Sequence, residues 1–384
     1  MIPYSRQLIG PEEIKAVIKT LKSNYLTQGK NLLNFEKTLS RKFNSKYSTG
    51  FNSATSALHI SCLALGIKKG DVVWTCTNSF VASSNCALYC GAKVELIDID
   101  LSNFNISTED LEEKLVLAKK KNNLPKLVIP VHFAGLPCDM KKIYSLSLKY
   151  GFRILEDASH AVGSKYFSEK IGSCKYSDIT VFSFHPVKII TTAEGGAALT
   201  NSLKLNEKLQ LYRNHGITRN KKFLTNKKLP KWYYEHIGLG FNYRLNEIQS
   251  VLGVVQLSKL SKWIETRQRI FSKYSESLND LPLILPKKFK NYKSSNHLYV
   301  IQTQSKTEDE RNKLYNYLRK ENVEPNVHYI PIHSHPFYKK LSYKFKKFPN
   351  ANLYYKRCLS IPMYAGLNNK DQERIIDLIR KFYK

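Results

Sequence analysis

The apolar positions of this chain recur with two different periods. From Pro11 to Leu21, the residues Ile14, Val17, Ile18 and Leu21 fall at helical spacing, which predicts an amphipathic helix. A second apolar helix is predicted from Ser56 to Leu65. It opens on Asn52-Ser53-Ala54-Thr55, whose hydroxyls suit a helix start. Short apolar runs then alternate with helical stretches: Lys93–Ile97, Leu127–Val131, Phe152–Leu155 and Ile179–Phe184. Runs this short, separated by helices, predict a mostly parallel sheet covered on both faces. The stripe Ile248, Val251, Leu252, Val255 and Leu260 predicts a helix leading out of that layer. From roughly Thr266 onward, a strand (Leu298–Ile301) and helices (Glu308–Arg319 and Asp371–Phe382) read as a smaller α+β unit. The expected class is therefore α/β, with a large domain over residues 1–260 and a small C-terminal domain over 261–384.

Composition narrows the class. A chain of 384 residues, 42% hydrophobic and 12% aromatic, buries a sizeable core and fits no disordered type. Its first residues, Met1-Ile2-Pro3-Tyr4-Ser5-Arg6, lack a basic stretch followed by an apolar run. No apolar run reaches the ~18 residues that a membrane helix needs. The cysteines (Cys62, Cys76, Cys86, Cys90, Cys138, Cys174 and Cys358) are odd in number and do not space as zinc ligands. Cys86 and Cys90 lie one helical turn apart without a second pair. His333 and His335 form an H-x-H that reads as a loop. The expectation is a cytoplasmic protein in a reducing compartment, with no metal and no membrane association.

Charge changes the picture more. The 61 basic and 31 acidic residues give a formal charge of +30, a field that favours anionic partners. The lysines are spread along the whole chain. There is no basic helix carrying base-reading side chains, no zinc finger and no RNA-recognition motif, so no nucleic-acid partner is expected. The basic segment Lys221-Lys222 to Lys227-Lys228 reads as a solvated loop, with covering of a pyrophosphate as the alternative.

Three segments carry candidate chemistry. Glu156-Asp157-Ala158-Ser159-His160 follows the run Phe152–Leu155. Ligands of open α/β sheets sit at the carboxyl ends of strands, where Asp157 could meet a protonated ring nitrogen. Phe182-Ser183-Phe184-His185-Pro186-Val187-Lys188 follows the next run and places Ser183 and Lys188 just beyond its end. A partly desolvated lysine loses proton affinity and becomes a nucleophile. Gly195 and Gly196 then let the backbone pass close to a neighbour. The turn Asn52–Thr55 offers the free N–H groups of a helix start to a phosphate. An amine, an acid and an anion hole together are what pyridoxal 5′-phosphate requires.

These residues resemble the DegT-type sugar aminotransferases, a family of fold-type-I pyridoxal-phosphate enzymes. The resemblance runs along nearly the whole chain: F-N-S-A-T-S-A-L, E-D-A-S-H, F-S-F-H-x-x-K and G-x-N-x-R-L-N-E-I-Q-S. It implies that Lys188 forms the Schiff base and shuttles the proton, that Asp157 pairs with the pyridinium nitrogen, and that His160 lies near the phenolic oxygen. Phe80 would stack on the ring. Ala54, Thr55 and Ser183 would hold the phosphate, and Asn242 would reach it from the other subunit of a homodimer with shared sites. Tyr4, Asn24, Tyr25, Leu26, Thr27, Val327, His328, Tyr329 and Ile330 would meet the sugar nucleotide.

The implied reaction is transfer of an amino group from L-glutamate to C4 of a UDP-linked 4-keto-6-deoxy-N-acetylhexosamine. This is the chemistry of pseudaminic acid and related surface-glycan synthesis. A dTDP-linked or C3-keto sugar is the alternative substrate, and a non-catalytic regulator on the same fold is the alternative class. Family dehydratases carry histidine where this chain has Lys188, which argues against dehydration.

Overall fold

The computed structural model describes all residues except 227, 229, 231 and 342–346. Seven strands form the central sheet: β1 (Tyr47–Phe51), β2 (Val72–Cys76), β3 (Lys93–Ile97), β4 (Leu127–Ile129), β5 (Arg153–Asp157), β6 (Ile179–Ser183) and β7 (Gly196–Thr200). Their spatial order is β1-β7-β6-β5-β4-β2-β3. Strands β3, β2, β4, β5 and β6 are joined by parallel ladders. Strand β7 runs antiparallel to both β6 and β1. Every residue of β2, β4, β6 and β7 is buried, as a sheet covered on both faces requires. The predicted mostly parallel sheet is present. Strands β1, β2 and β7 were not legible as separate apolar runs.

Helices α1 (Pro11–Leu21), α2 (Lys30–Phe43), α3 (Ala54–Ala64), α4 (Ala82–Tyr89), α5 (Thr108–Lys120), α6 (Met140–Tyr150) and α7 (Leu203–Arg213) alternate with the strands. Helix α3 is buried almost all round, whereas α2 keeps only one stripe inside (Leu32, Phe35, Leu39 and Phe43). Helix α2 starts at Gly29, which has no side chain to cap it. Glu247 does so instead: its carboxylate accepts the N–H groups of Gly29 (3.0 Å), Asn31 (2.7 Å) and Leu32 (3.2 Å).

Glu247 is also the first residue of α8 (Glu247–Ser277), a 31-residue helix opened by a capping box between Asn246 and Gln249. Leu257, Leu260, Trp263 and Ile264 of this helix pack in the core of the central sheet. Ile270, Phe271 and Tyr274 pack in a second core with Tyr299, Ile301, Leu314 and Ile375. The division expected after residue 260 thus falls within an unbroken helix. The second core is built on a three-stranded antiparallel sheet, β8 (Leu283–Ile284), β9 (Tyr299–Thr303) and β10 (Cys358–Ile361), in that order. Helices α9 (Asp309–Lys320) and α12 (Asn369–Phe382) cover it, with α10 (Pro336–Lys340) and α11 (Pro349–Arg357) between them. Arg267 of α8 is buried and donates to the carbonyls of Asn296 (3.2 Å), His297 (3.2 Å) and Met363 (2.9 Å), tying the helix to these C-terminal loops.

Among the described residues, no helix is long and apolar enough to cross a membrane, and no group of three or more His, Cys, Asp or Glu side chains could hold a metal ion.

Candidate active site

A cavity of about 650 Å³ opens at the carboxyl ends of β5 and β6. Its wall includes Tyr4, Ala54, Thr55, Phe80, Asp157, His160, Ser183, Lys188 and the run Val327–Ile330, which are most of the residues singled out in the sequence. Asn24, Tyr25, Leu26 and Thr27 do not line it; they lie in the exposed turn between α1 and α2. Asn242 is also outside the cavity of its own chain, where it pairs with Asn214. A second cavity, of about 510 Å³, is lined by Gln28, Arg213, Arg219 and Arg244 among others and contains none of the predicted residues.

Asp157 is the last residue of β5 rather than a loop residue beyond it. Its N–H donates to Pro130 O (2.9 Å) and its carbonyl accepts from His132 N–H (3.1 Å), so its backbone is held from one side. Its side chain is held too. Ser83 Oγ donates to Oδ2 at 2.6 Å and Ser159 N–H to Oδ1 at 3.1 Å. Ser83 in turn lies 2.7 Å from Ser79 Oγ. Neither Ser83 nor Ser159 was predicted. The i, i+4 spacing of Ser79 and Ser83 was visible, but nothing in the sequence says that this face of α4 meets the end of β5.

The neighbouring Glu156 points into the protein, as alternation along a strand demands. It is buried, which works against its charge. Hydrogen bonds from His132 Nε2 (2.7 Å), Ser177 Oγ and Thr180 Oγ1 (2.9 Å) outweigh that cost and hold its carboxyl below the ordinary range. It anchors β5 and leaves Asp157 as the acid facing the cavity.

Lys188 follows the end of β6 by five residues, in a turn closed by its own N–H to His185 O (2.9 Å) and by Ser5 Oγ to Val187 O (2.8 Å). Burial lowers its amine to about 8, while the Asp157 carboxylate pulls the other way. A free-base amine is thus within reach at neutral to mildly alkaline pH.

The start of α3 lines the same cavity as the lysine. Ser53 is its N-cap and takes the N–H of Ser56 (3.1 Å). The N–H groups of Ala54 and Thr55 belong to the first turn, which has no intrahelical carbonyl to meet. Gly196 lets β7 pass beneath this turn: a Cβ there would lie 2.5 Å from Ala54 N. This is the close approach expected of the paired glycines.

The far wall carries aromatic rings. Phe80 is exposed and its ring centroid lies 6.3 Å from that of Tyr329. The Tyr4 and His328 rings are 5.4 Å apart. Burial, with Lys188 nearby, pushes His328 down to about 3, so its ring is neutral. The H-x-H pair separates: His333 binds Thr77 Oγ1 (2.7 Å) and Asn352 Oδ1 (3.0 Å), while His335 reaches the cavity. Lys227 of the basic segment lies outside the described residues, and Lys222 pairs with Glu207 at 3.1 Å.

The site therefore offers a nucleophilic amine, a fixed carboxylate, a helix start for an anion and an aromatic wall. Known proteins resemble the chain in both sequence and fold. The sequence matches the DegT/DnrJ/EryC1/StrS aminotransferase family over residues 7–380. It is 39% identical over 380 residues to the UDP-4-amino-4,6-dideoxy-N-acetyl-beta-L-altrosamine transaminase of Campylobacter jejuni, covering 99% of this chain and 96% of that protein. The fold matches Helicobacter pylori PseC, an aminotransferase involved in the biosynthesis of pseudoaminic acid, with a TM-score of 0.90 and 33% identity over 100% of this chain and 99% of the other. It also matches the PLP-form of a putative sugar aminotransferase, Spr1654 from Streptococcus pneumoniae, with a TM-score of 0.89 and 26% identity over 100% and 98% of the two chains. By the extent of these matches, and with a fold-type-I architecture around the cavity, the chain belongs to the DegT/DnrJ/EryC1/StrS aminotransferase family.

Proposed function

We propose that the protein is a pyridoxal-phosphate-dependent transaminase of a UDP-linked 4-keto-6-deoxy-N-acetylhexosamine, with L-glutamate as amino donor, in pseudaminic acid or related glycan synthesis. The observation that carries the cofactor reading is the placing of Lys188 and Asp157, just beyond and at neighbouring strand ends, in one cavity with the start of α3. The sugar reading is supported by the C. jejuni transaminase, whose name gives a UDP-linked 4-amino-4,6-dideoxy sugar, and by PseC, whose name gives pseudoaminic acid biosynthesis.

The residues present fit the cofactor. When bound, pyridoxal phosphate supplies an aldehyde for an amine and a ring that draws electrons from the carbon losing its proton. Lys188 holds the reactive amine and moves the proton as base and then as acid, a role that typically contributes ~10²–10⁴-fold. Asp157, held by Ser83 and Ser159, presents the carboxylate that would pair with a protonated ring nitrogen. Ala54, Thr55 and Ser183 would hold the phosphate and Phe80 would cover the ring. Tyr4 and Val327–Ile330 form the wall assigned to the sugar nucleotide.

In this reading Asn242 and Asn24–Thr27 serve the site of a partner subunit, since neither lies at the cavity of its own chain. The exposed apolar side chains Tyr25, Leu26, Trp232, Tyr234, Ile237 and Leu239 support such a homodimer.

The test is the visible absorption of the cofactor-loaded protein. The band should be lost on adding L-glutamate and regained on adding the UDP-linked 4-keto sugar. Loss without recovery would leave the transaminase reading standing and replace the sugar. A protein that takes up no cofactor would refute the reading.

A further inference from the structure

Two neighbours decide where the proton of His160 sits. Its Nδ1 is 3.3 Å from the backbone nitrogen of Ala134, and a peptide N–H only donates. That ring nitrogen is therefore an acceptor. Burial, with Lys188 and His328 nearby, pushes the imidazole well below its ordinary pKa, so the ring is neutral and carries a single proton. The proton is on Nε2. Nε2 lies 3.0 Å from Tyr329 Oη, so the tyrosine oxygen accepts there. The hydroxyl has one proton of its own, and it must point elsewhere.

The surroundings keep this arrangement in place. Ala134 has a left-handed backbone (φ 54°), and the carbonyl of Phe133, in the same peptide as the Ala134 N–H, accepts from Leu136 N–H at 2.9 Å, so the peptide that sets the tautomer is itself anchored. Phe133 packs against both rings, with centroids 6.1 Å from His160 and 6.1 Å from Tyr329. His297 lies 4.3 Å from the His160 ring. Tyr329 lines the cavity beside Lys188 and Asp157. Burial also raises the phenol above its ordinary value, so the hydroxyl stays protonated.

We propose that the donor offered to the ligand on this side of the cavity is the Tyr329 hydroxyl, with the His160 imidazole acting behind it as the positioning residue that fixes its direction. The ligand group it takes is an acceptor oxygen, a phenolate of the cofactor or an oxygen of the sugar nucleotide. The identity of that ligand rests on the function proposed above; the direction of the hydroxyl does not.

The first measurement is nitrogen-resolved NMR of the histidine-labelled protein without ligand. His160 should show a neutral ring protonated at Nε2; a ring protonated at Nδ1, or at both nitrogens, overturns the proposal. The second is binding, by calorimetry, of pyridoxal 5′-phosphate and of UDP-N-acetylglucosamine to the wild type and to Tyr329→Phe. Loss of one hydrogen bond should weaken one probe by about tenfold and spare the other, which identifies the source of the oxygen. Unchanged binding of both probes overturns the proposal. His160→Gln can still accept from Ala134 and donate to Tyr329, so it should retain the affinity that His160→Ala loses. If the wild type binds neither probe, the functional reading fails, and the NMR result alone decides the direction of the hydroxyl.

Discussion

Ser83 Oγ donates to Asp157 Oδ2 at 2.6 Å, so a side chain of α4 sets the orientation of the acid at the end of β5. Ser83 touches neither ligand in the proposed reaction and acts through Asp157. In Ser83→Ala the carboxylate keeps the Ser159 N–H and loses its shorter bond. The expected result is a drop in kcat of about tenfold, the worth of one hydrogen bond to a charged group, with the KM for the sugar nucleotide little changed. Ser83→Thr should restore most of the rate. Steady-state kinetics on the three proteins check this; an unaffected Ser83→Ala would remove Ser83 from the machinery.

Lys188 gives a pH signature. With its amine lowered to about 8, the free base that attacks an aldehyde forms progressively up to that pH. Stopped-flow uptake of pyridoxal phosphate by the cofactor-free protein should accelerate with pH and level off above about 8. An ordinary lysine would go on gaining up to about 10.4. Asp157 pulls the amine upward, so Asp157→Asn should move the midpoint lower. Lys188→Ala should lose transamination altogether.

Acid should unfold the protein through its buried histidines. His328 is pushed from 6.5 to about 3 by burial and by Lys188, and His160 and His297 are lowered in the same sense. Below pH 6.5 the unfolded chain takes up protons that the folded chain refuses, so the unfolded state binds more protons and stability falls as pH falls. The contribution of His328 is complete above about 6.5 and is lost between there and about 3. Each such group adds a slope of at most about 1.4 kcal/mol per pH unit. Urea unfolding across this range should show the decline, and His328→Gln should make it shallower.

Glu247 offers a test of stability away from the cavity. Its carboxylate accepts three N–H groups at the start of α2 and is almost fully buried. Glu247→Ala leaves those donors without it and should cost about 1–3 kcal/mol in urea unfolding, with Glu247→Gln falling between. Gly29→Ala should weaken the same cap from the other side, because a Cβ at Gly29 would stand 2.7 Å from Glu247 Oε2.

The layered α/β fold was legible because strands β3 to β6 each carry a short apolar run. Strand β7, Gly-Ala-Ala-Leu-Thr, is buried throughout, but small residues give it little apolar weight. Lys188, Asp157, Ser183 and the Ala54–Thr55 turn were legible because strand ends and helix starts present such groups by geometry. Ser83 was not, since its role depends on the fold bringing α4 to the end of β5. The direction of the Tyr329 hydroxyl was not either, because it is fixed by a backbone N–H at Ala134, and backbone donors leave no mark in a sequence. The turn Asn24–Thr27 is a different case. A motif located it, but the fold carries it away from the cavity of its own chain.

The unbroken course of α8 has a mechanical consequence. A hinge between the two cores would need this helix as its axle, and bending an axle of 31 residues means opening successive turns of its ladder. It is clamped besides, at one end by the three donors Glu247 accepts and farther along by the three carbonyls Arg267 serves. The cavity is thus a socket in a rigid frame, and its mouth is bordered by the exposed side chains of Phe80 and Ile330. On the function proposed above, Ile330 at that rim is a position that could vary among sugar substrates without disturbing the frame that holds Lys188 and Asp157 in place.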